Sequence, residues 1–124
     1  MTAQGTPLVS VLMPAYNGEK YIEEAVRSVQ DQSLSDWELV IVDDCSQDGT
    51  WEIVSRLARE DVRIHVYRNR KNLGPARTRN WGLDLCRGDY VALLDCDDMW
   101  YPRKLEKQVA LARNSQADIV YCGY

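Results

Sequence analysis

The chain has 124 residues, 45% hydrophobic and 27% charged, with a formal net charge of −4. That length supports a hydrophobic core without disulfide staples and suits one domain, residues 1–124. The acidic balance argues against a general nucleic-acid binder, and no apolar run approaches the roughly 20 residues that span a bilayer.

Taken in chain order, the pattern alternates strand and helix. Leu8–Pro14 is a short apolar, β-branched run that reads as a strand, and Asn17-Gly18 follows as a turn signal. Tyr21–Gln32 places Ile22, Ala25, Val26 and Val29 on one helical face. Trp37–Val42 is a second strand, ending in Asp43-Asp44. A helix over Thr50–Arg59 turns Ile53, Val54 and Leu57 inward. Val62–Tyr67 alternates apolar and polar residues, as a half-exposed edge strand does. Pro75 opens a helix that runs to Cys86. Tyr90–Leu94 is nearly continuously apolar, as expected of a strand covered on both faces, and leads into Asp95-Cys96-Asp97-Asp98. Pro102 opens another helix, with Leu105, Val109 and Ala112 on one face, and Ile119–Cys122 reads as a last strand. The alternation predicts βαβ units and a mainly parallel sheet, with ligands beyond the carboxyl ends of the strands.

The four cysteines, Cys45, Cys86, Cys96 and Cys122, form no C-x-x-C pair, so a zinc site has little support. They are expected as reduced thiols in a cytosolic setting, with Cys86 and Cys122 at buried element ends. Met1 to Thr6 shows no basic stretch leading into an apolar one, so no secretory signal is expected.

Two acidic groups, Asp43-Asp44 and Asp95, Asp97 and Asp98, sit at the ends of two strands that a parallel sheet brings to one rim. Aspartates there can be helix caps. Capping needs one acid per helix, however, and five carboxylates repel one another without a cation. Mg²⁺ or Mn²⁺, which take oxygen ligands together with substrate phosphates, fit that set. Arg68, Arg70, Lys71, Arg77 and Arg79 lie in a stretch without acids, either as a solvated loop or as a local anion site. Neither a G-x-G-x-x-G nor a P-loop occurs, so bound phosphates would have to be held by a metal and these arginines. Asn80 and Gly82 are poor helix formers inside a helix. Gly82 reads as close packing on the sheet or as an approach to a ligand. Tyr16, just past the first strand, can stack on a base or belong to the core or surface.

The segments VSVLMPAYNGEKYIEEAVRSVQDQS, WELVIVDDCSQDGT and NLGPARTRNWGLDLCRGDYVALLDCDDMW, in that order, resemble the family 2 glycosyltransferases of the GT-A fold, from about Leu8 to Tyr124. The resemblance implies a three-layer, Rossmann-like, mainly parallel sheet flanked by helices, here its nucleotide-sugar-binding half. It implies Pro14, Ala15 and Tyr16 at the base pocket and Asp44 hydrogen-bonded to the base. Asp43 would be a more structural neighbour, and Arg79 would lie near the nucleotide. Asp97 would point towards the ribose and metal, Asp97 or Asp98 would be the direct metal ligand, and Asp95 would stand behind them.

The implied activity is metal-dependent, inverting transfer of a sugar from a nucleoside diphosphate sugar, a UDP-sugar in the first instance, to a saccharide or lipid-linked acceptor. The general base and acceptor site are expected beyond Tyr124, so donor binding is the firmer expectation. Self-association through the face that the acceptor half would cover is a further expectation, as is membrane association of the full-length protein. Two rivals are a non-catalytic α/β binding or assembly module and a signalling receiver domain. A receiver would carry its acidic pair after the first strand and a lysine after the last, whereas here the pair follows the second.

Overall fold

The structure, a computed structural model, describes residues 5–115; the expected strand at Ile119–Cys122, with Cys122, lies outside them. Strands and helices alternate as β1 (Val9–Ala15), α1 (Ile22–Gln30), β2 (Trp37–Asp43), α2 (Thr50–Glu60), β3 (Ile64–Arg68), α3 (Pro75–Leu85), β4 (Tyr90–Leu93) and α4 (Lys104–Ser115). The four strands form one parallel sheet in the order β3-β2-β1-β4. Parallel neighbours require crossovers, and α1, α2 and α3 supply them between the described strands.

The period of two along a strand divides the core into two layers. Val11, Met13, Leu39 and Ile41 share one cluster with Ile22 and Val26 of α1, Leu57 of α2 and Leu105 of α4. Leu12, Val40 and Val42 face the other way, under α3. Gly82 makes that second contact close: a β-carbon there would stand 2.4 Å from Leu12 Cδ1 and 3.3 Å from Val42 Cγ2. Of the two readings of Gly82, the structure takes the packing one. The result is the mainly parallel sheet that the alternation predicts, in the three-layer form that the resemblance implies.

Four details differ from the sequence reading. The third strand begins at Ile64, and Val62 is 90% exposed. The reason is a turn in which Asp61 accepts from the Arg63 N–H at 3.0 Å through its side chain and from the Ile64 N–H at 3.1 Å through its carbonyl. The fourth strand is fully covered on one face only among the described residues, Val91 on the other face being half-buried against the Leu12, Val40 and Val42 cluster. Ala92 and Leu94 are buried on the α4 side, whereas Leu93 is exposed, because α3 packs over β1 and β2. The fourth helix starts at Lys104. Pro102 belongs to the preceding turn, where its carbonyl accepts from the Ser33 N–H at 2.7 Å. Cys45, Cys86 and Cys96 are free thiols, and Cys86 is half-buried, not fully buried.

At the N-terminal rim, Glu38 of β2 is almost completely buried. It accepts from Ser10 Oγ at 2.5 Å, from the Arg87 N–H at 2.7 Å, and from Arg87 Nε and Nη2 at 3.2 Å each. His65 Nε2 lies 3.6 Å away on β3. Ser10 Oγ also accepts from the Gly88 N–H at 2.7 Å. One carboxylate thus ties together β1, β2, β3 and the chain leading into β4. At the opposite rim, β1 to β3 proceed to one side while β4 returns to the other side of β1. The strand order therefore reverses between β1 and β4, which opens a crevice at the carboxyl ends of those strands.

Candidate functional site

A cleft of about 340 Å³ occupies that crevice, lined by Pro14, Ala15, Tyr16, Asp44, Asn72, Gly74, Pro75, Thr78, Arg79 and Asp95. Six residues singled out in the sequence therefore come together: Pro14, Ala15, Tyr16, Asp44, Arg79 and Asp95. Tyr16 is 47% exposed, so its ring is available to a planar ligand.

The two neighbouring aspartates at the end of β2 take opposite parts. Asp43 is fully buried and lies outside the cleft. Its Oδ1 accepts from the Ser46 N–H at 3.2 Å and from Ser46 Oγ, and its Oδ2 lies 3.4 Å from Arg68 Nε. Burial raises its pKa, and the Ser46 hydrogen bonds and Arg68 only partly offset that. Asp44 lines the cleft. It accepts from the Leu73 N–H at 2.7 Å, the Gly74 N–H at 3.0 Å and Asn69 Nδ2 at 2.8 Å. Burial pushes its pKa up, but donation from Leu73, Asn69, Gly74 and Thr78 outweighs burial and holds it below the ordinary carboxylate value. Asp44 therefore stays ionised and anchors the entry to α3, where Gly74 adopts φ 90° immediately before Pro75.

Asn69, Asn72, Leu73, Gly74 and Thr78 carry much of this geometry, and sequence reasoning did not single them out. The signal available was a glycine before a proline at a helix start, which marks a special backbone conformation without saying what it encloses.

The carboxylates of Asp95, Asp97 and Asp98 offer ligand atoms that all lie within 4.8 Å of one another. Asp95 belongs to both this group and the cleft. Its pKa is raised by burial first and then by repulsion from Asp98 and Asp97, with Arg79 pulling the other way. Crowded carboxylates in which repulsion outweighs the neighbouring cation suit a hard divalent ion, and the all-oxygen donor set fits Mg²⁺ or Mn²⁺.

The basic stretch divides. Arg68 donates to the Ser46 carbonyl at 3.0 Å, lies beside Asp43 and sits 5.6 Å over the Trp51 ring. Arg79 lines the cleft, while Arg70, Lys71 and Arg77 are exposed outside it. Loops after β1 and β2 interlock beside the cleft. Ser46 Oγ accepts from the Asn17 N–H at 2.9 Å, and Asn17 Oδ1 accepts from the Gln47 N–H at 2.9 Å. Asn17 and Cys45 both adopt left-handed backbone there, at φ 50° and 59°.

Comparison with known proteins gives a family. The family model of Glycosyl transferase family 2 matches residues 10–124. TuaG of Bacillus subtilis (strain 168), assigned as a teichuronic acid biosynthesis glycosyltransferase, is 48% identical over 118 residues, covering 95% of this chain and 47% of that protein. The Escherichia coli UDP-Glc:alpha-D-GlcNAc-diphosphoundecaprenol beta-1,3-glucosyltransferase WfgD is 38% identical over 117 residues, covering 94% of this chain and 46% of WfgD. The chain thus spans about half the length of these relatives. Among solved structures, S. aureus TarS 1-349 in complex with UDP-GlcNAc superimposes with a TM-score of 0.80 at 34% identity, covering 87% of this chain and 32% of that one. The Pyrobaculum calidifontis mannosyltransferase PcManGT in complex with GDP-Man and Mn²⁺ gives 0.79 at 29%, covering 86% of this chain and 32% of that one.

Proposed function

The chain belongs to glycosyl transferase family 2, and from that premise we propose that it is the donor-binding part of an inverting, metal-dependent glycosyltransferase that uses a UDP-sugar. One observation carries the reading. Pro14, Ala15 and Tyr16 at the end of β1, the Asp44 carboxylate just after β2, Arg79 from α3 and Asp95 after β4 meet in one cleft at the point where the strand order reverses, and Asp97 and Asp98 crowd against Asp95. The structures of TarS with UDP-GlcNAc and of PcManGT with GDP-Man and Mn²⁺ support it as similar proteins in complex with nucleotide sugars.

In this reading Tyr16 stacks on the base, and Pro14 and Ala15 form the wall beside it. Asp44, kept ionised by its backbone donors, accepts from the base N–H. Arg79 faces the diphosphate and balances its charge. Asp97 and Asp98, with Asp95 beside them, would hold Mn²⁺ or Mg²⁺. When bound, that ion supplies Lewis-acid neutralisation of the charge that develops on the departing diphosphate. The acceptor is a saccharide or lipid-linked hydroxyl. No described residue is assigned as its general base; that role falls to the part of the relatives' length that this chain does not span.

The test is a calorimetric titration of UDP, GDP and dTDP in Mn²⁺ and in EDTA, on the chain and on a variant carrying Asp97→Ala and Asp98→Ala. UDP binding that Mn²⁺ strengthens in the parent and not in the variant is the expected result. Equal UDP affinity in Mn²⁺ and EDTA removes the metal from the reading. A folded chain that binds none of the three nucleotides removes the donor site.

A further inference from the structure

We propose that Cys96 is a positioning residue: its side chain, seated in the space that Gly18 leaves by having no β-carbon, holds the Asp95, Asp97 and Asp98 loop in register with the β1–α1 loop at the nucleotide cleft. The inference rests on the donor-site reading above and extends it to two residues that bear no ligand role of their own.

The contact is tight and one-sided. A β-carbon on Gly18 would stand 2.8 Å from Cys96 Sγ and 3.4 Å from Cys96 Cβ. The first distance is shorter than a carbon and a sulfur tolerate, and the second is ordinary contact. Gly18 itself is held from both sides. Its N–H donates to Thr50 Oγ1 at 2.9 Å, and its carbonyl accepts from the Tyr21 and Ile22 N–H groups at 3.0 and 2.9 Å. It is thereby tied to α1 through its carbonyl and to α2 through Thr50. The backbone N–H of Tyr16, a cleft residue, also interacts with the Cys96 sulfur. Cys96 therefore rests on a fixed support that is continuous with the base wall.

The other side of the contact leads to the acidic loop. Cys96 lies between Asp95 and Asp97 in the chain, and the Asp98 N–H closes on the Asp95 carbonyl at 3.0 Å, which makes the segment a single compact turn. A displacement at Cys96 is therefore passed to its two neighbours. Leu94, immediately before, is buried in the main core and resists movement of the whole loop. What remains free to shift is the turn itself, and with it the spacing of the three carboxylates. Residues that orient metal ligands without touching the metal commonly change metal affinity by about 10–100-fold when altered.

The experiment measures UDP binding by calorimetry, in Mn²⁺ and in EDTA, and Mn²⁺ binding alone by the loss of the free-ion electron paramagnetic resonance signal. The chains compared are the parent, Gly18→Ala, Cys96→Ala, Cys96→Ser and the double variant Gly18→Ala with Cys96→Ala. Gly18→Ala is expected to lose about tenfold or more of the Mn²⁺ enhancement of UDP binding, with affinity in EDTA held within about twofold. Cys96→Ser, which keeps a small atom in the same place, retains the enhancement. The double variant removes the sulfur that the new methyl would strike and is expected to recover most of the loss, a non-additivity diagnostic of direct contact.

A Gly18→Ala chain with full Mn²⁺ enhancement, or a double variant no better than Gly18→Ala, overturns the proposal in favour of simple packing. Should Gly18→Ala fail to fold, Cys96→Leu presses on Gly18 from the other side, and the same loss of enhancement is expected of it. Unchanged enhancement in a folded Cys96→Leu chain overturns the proposal as well. A parent chain without any Mn²⁺ effect on UDP binding is a different failure, because it removes the metal reading itself and the positioning role with it.

Discussion

At the N-terminal rim of the sheet, the buried Glu38 carboxylate meets Ser10, Arg87 and His65, all from its own chain. At the C-terminal rim, Asp95, Asp97 and Asp98 crowd within 4.8 Å, and repulsion helps to raise the pKa of Asp95. The same chemical group performs architecture at one end and crowds against its own kind at the other. A carboxylate balanced by its own chain stabilises the fold, because its burial has been compensated by hydrogen bonds and opposite charge. A group of carboxylates that repel one another contributes little to stability and is available for a ligand.

The largest expected effect lies at the N-terminal rim. Glu38→Ala leaves the buried Ser10 hydroxyl and the Arg87 backbone N–H without their acceptor, and urea denaturation should show a loss of about 3 kcal/mol, given about 1–3 kcal/mol for each donor left unsatisfied; the Arg87 guanidinium, more than half exposed, adds little. A loss below about 1 kcal/mol, typical of an exposed pair, would break the contrast between the rims.

Asp44 sharpens the contrast, because it sits at the functional rim yet is balanced by its own chain. Asp44→Ala removes the acceptor of the Leu73 and Gly74 N–H groups and of Asn69. It should cost about 2–3 kcal/mol of stability, given about 1–3 kcal/mol for each buried donor left unsatisfied, and also abolish UDP binding. An Asp44→Ala chain of parental stability would place Asp44 with the acidic loop instead.

Asp61 offers the pH test. Hydrogen bonding from Arg63 is the main reason its pKa falls to about 2, with burial opposing and Gln30 assisting. A depressed folded-state pKa contributes stability that is present above the unfolded value and lost as pH falls through the folded one. The stability advantage of the parent over Asp61→Asn should therefore be full at pH 7 and fade between about pH 4 and pH 2. After allowance for solvent screening of this partly exposed pair, its size at pH 7 should be about 1–2 kcal/mol. A difference that stays constant from pH 7 to pH 2 would contradict the assignment.

The smallest stability effect belongs to the acidic loop. Asp97→Asn should shift unfolding by no more than about 0.5 kcal/mol, as exposed substitutions do, while removing the Mn²⁺ response of UDP binding. A large loss of stability there would show that the loop is architectural after all.

Much of this molecule was legible in local pattern. The four described strands, the four helices and the sites of both acidic groups follow from periodicity and turn residues, because side-chain spacing along an element is fixed by its own backbone geometry. The motif resemblance led to the family for the same reason, since it too is a property of residues in order. Compensation was not legible. That Asp43 turns into the core while Asp44 lines the cleft, that Arg68 serves Asp43 and Arg79 serves the cleft, and that Glu38 binds a whole rim together depend on partners brought close only by folding. Ser10 and Glu38 are 28 positions apart, Glu38 and Arg87 49. The sequence by itself therefore determined which groups could carry charge and on which element they would ride. Tertiary structure decided which charges would be balanced, because Coulomb and hydrogen-bond energies depend on separations of a few ångströms in space and not on distance along the chain.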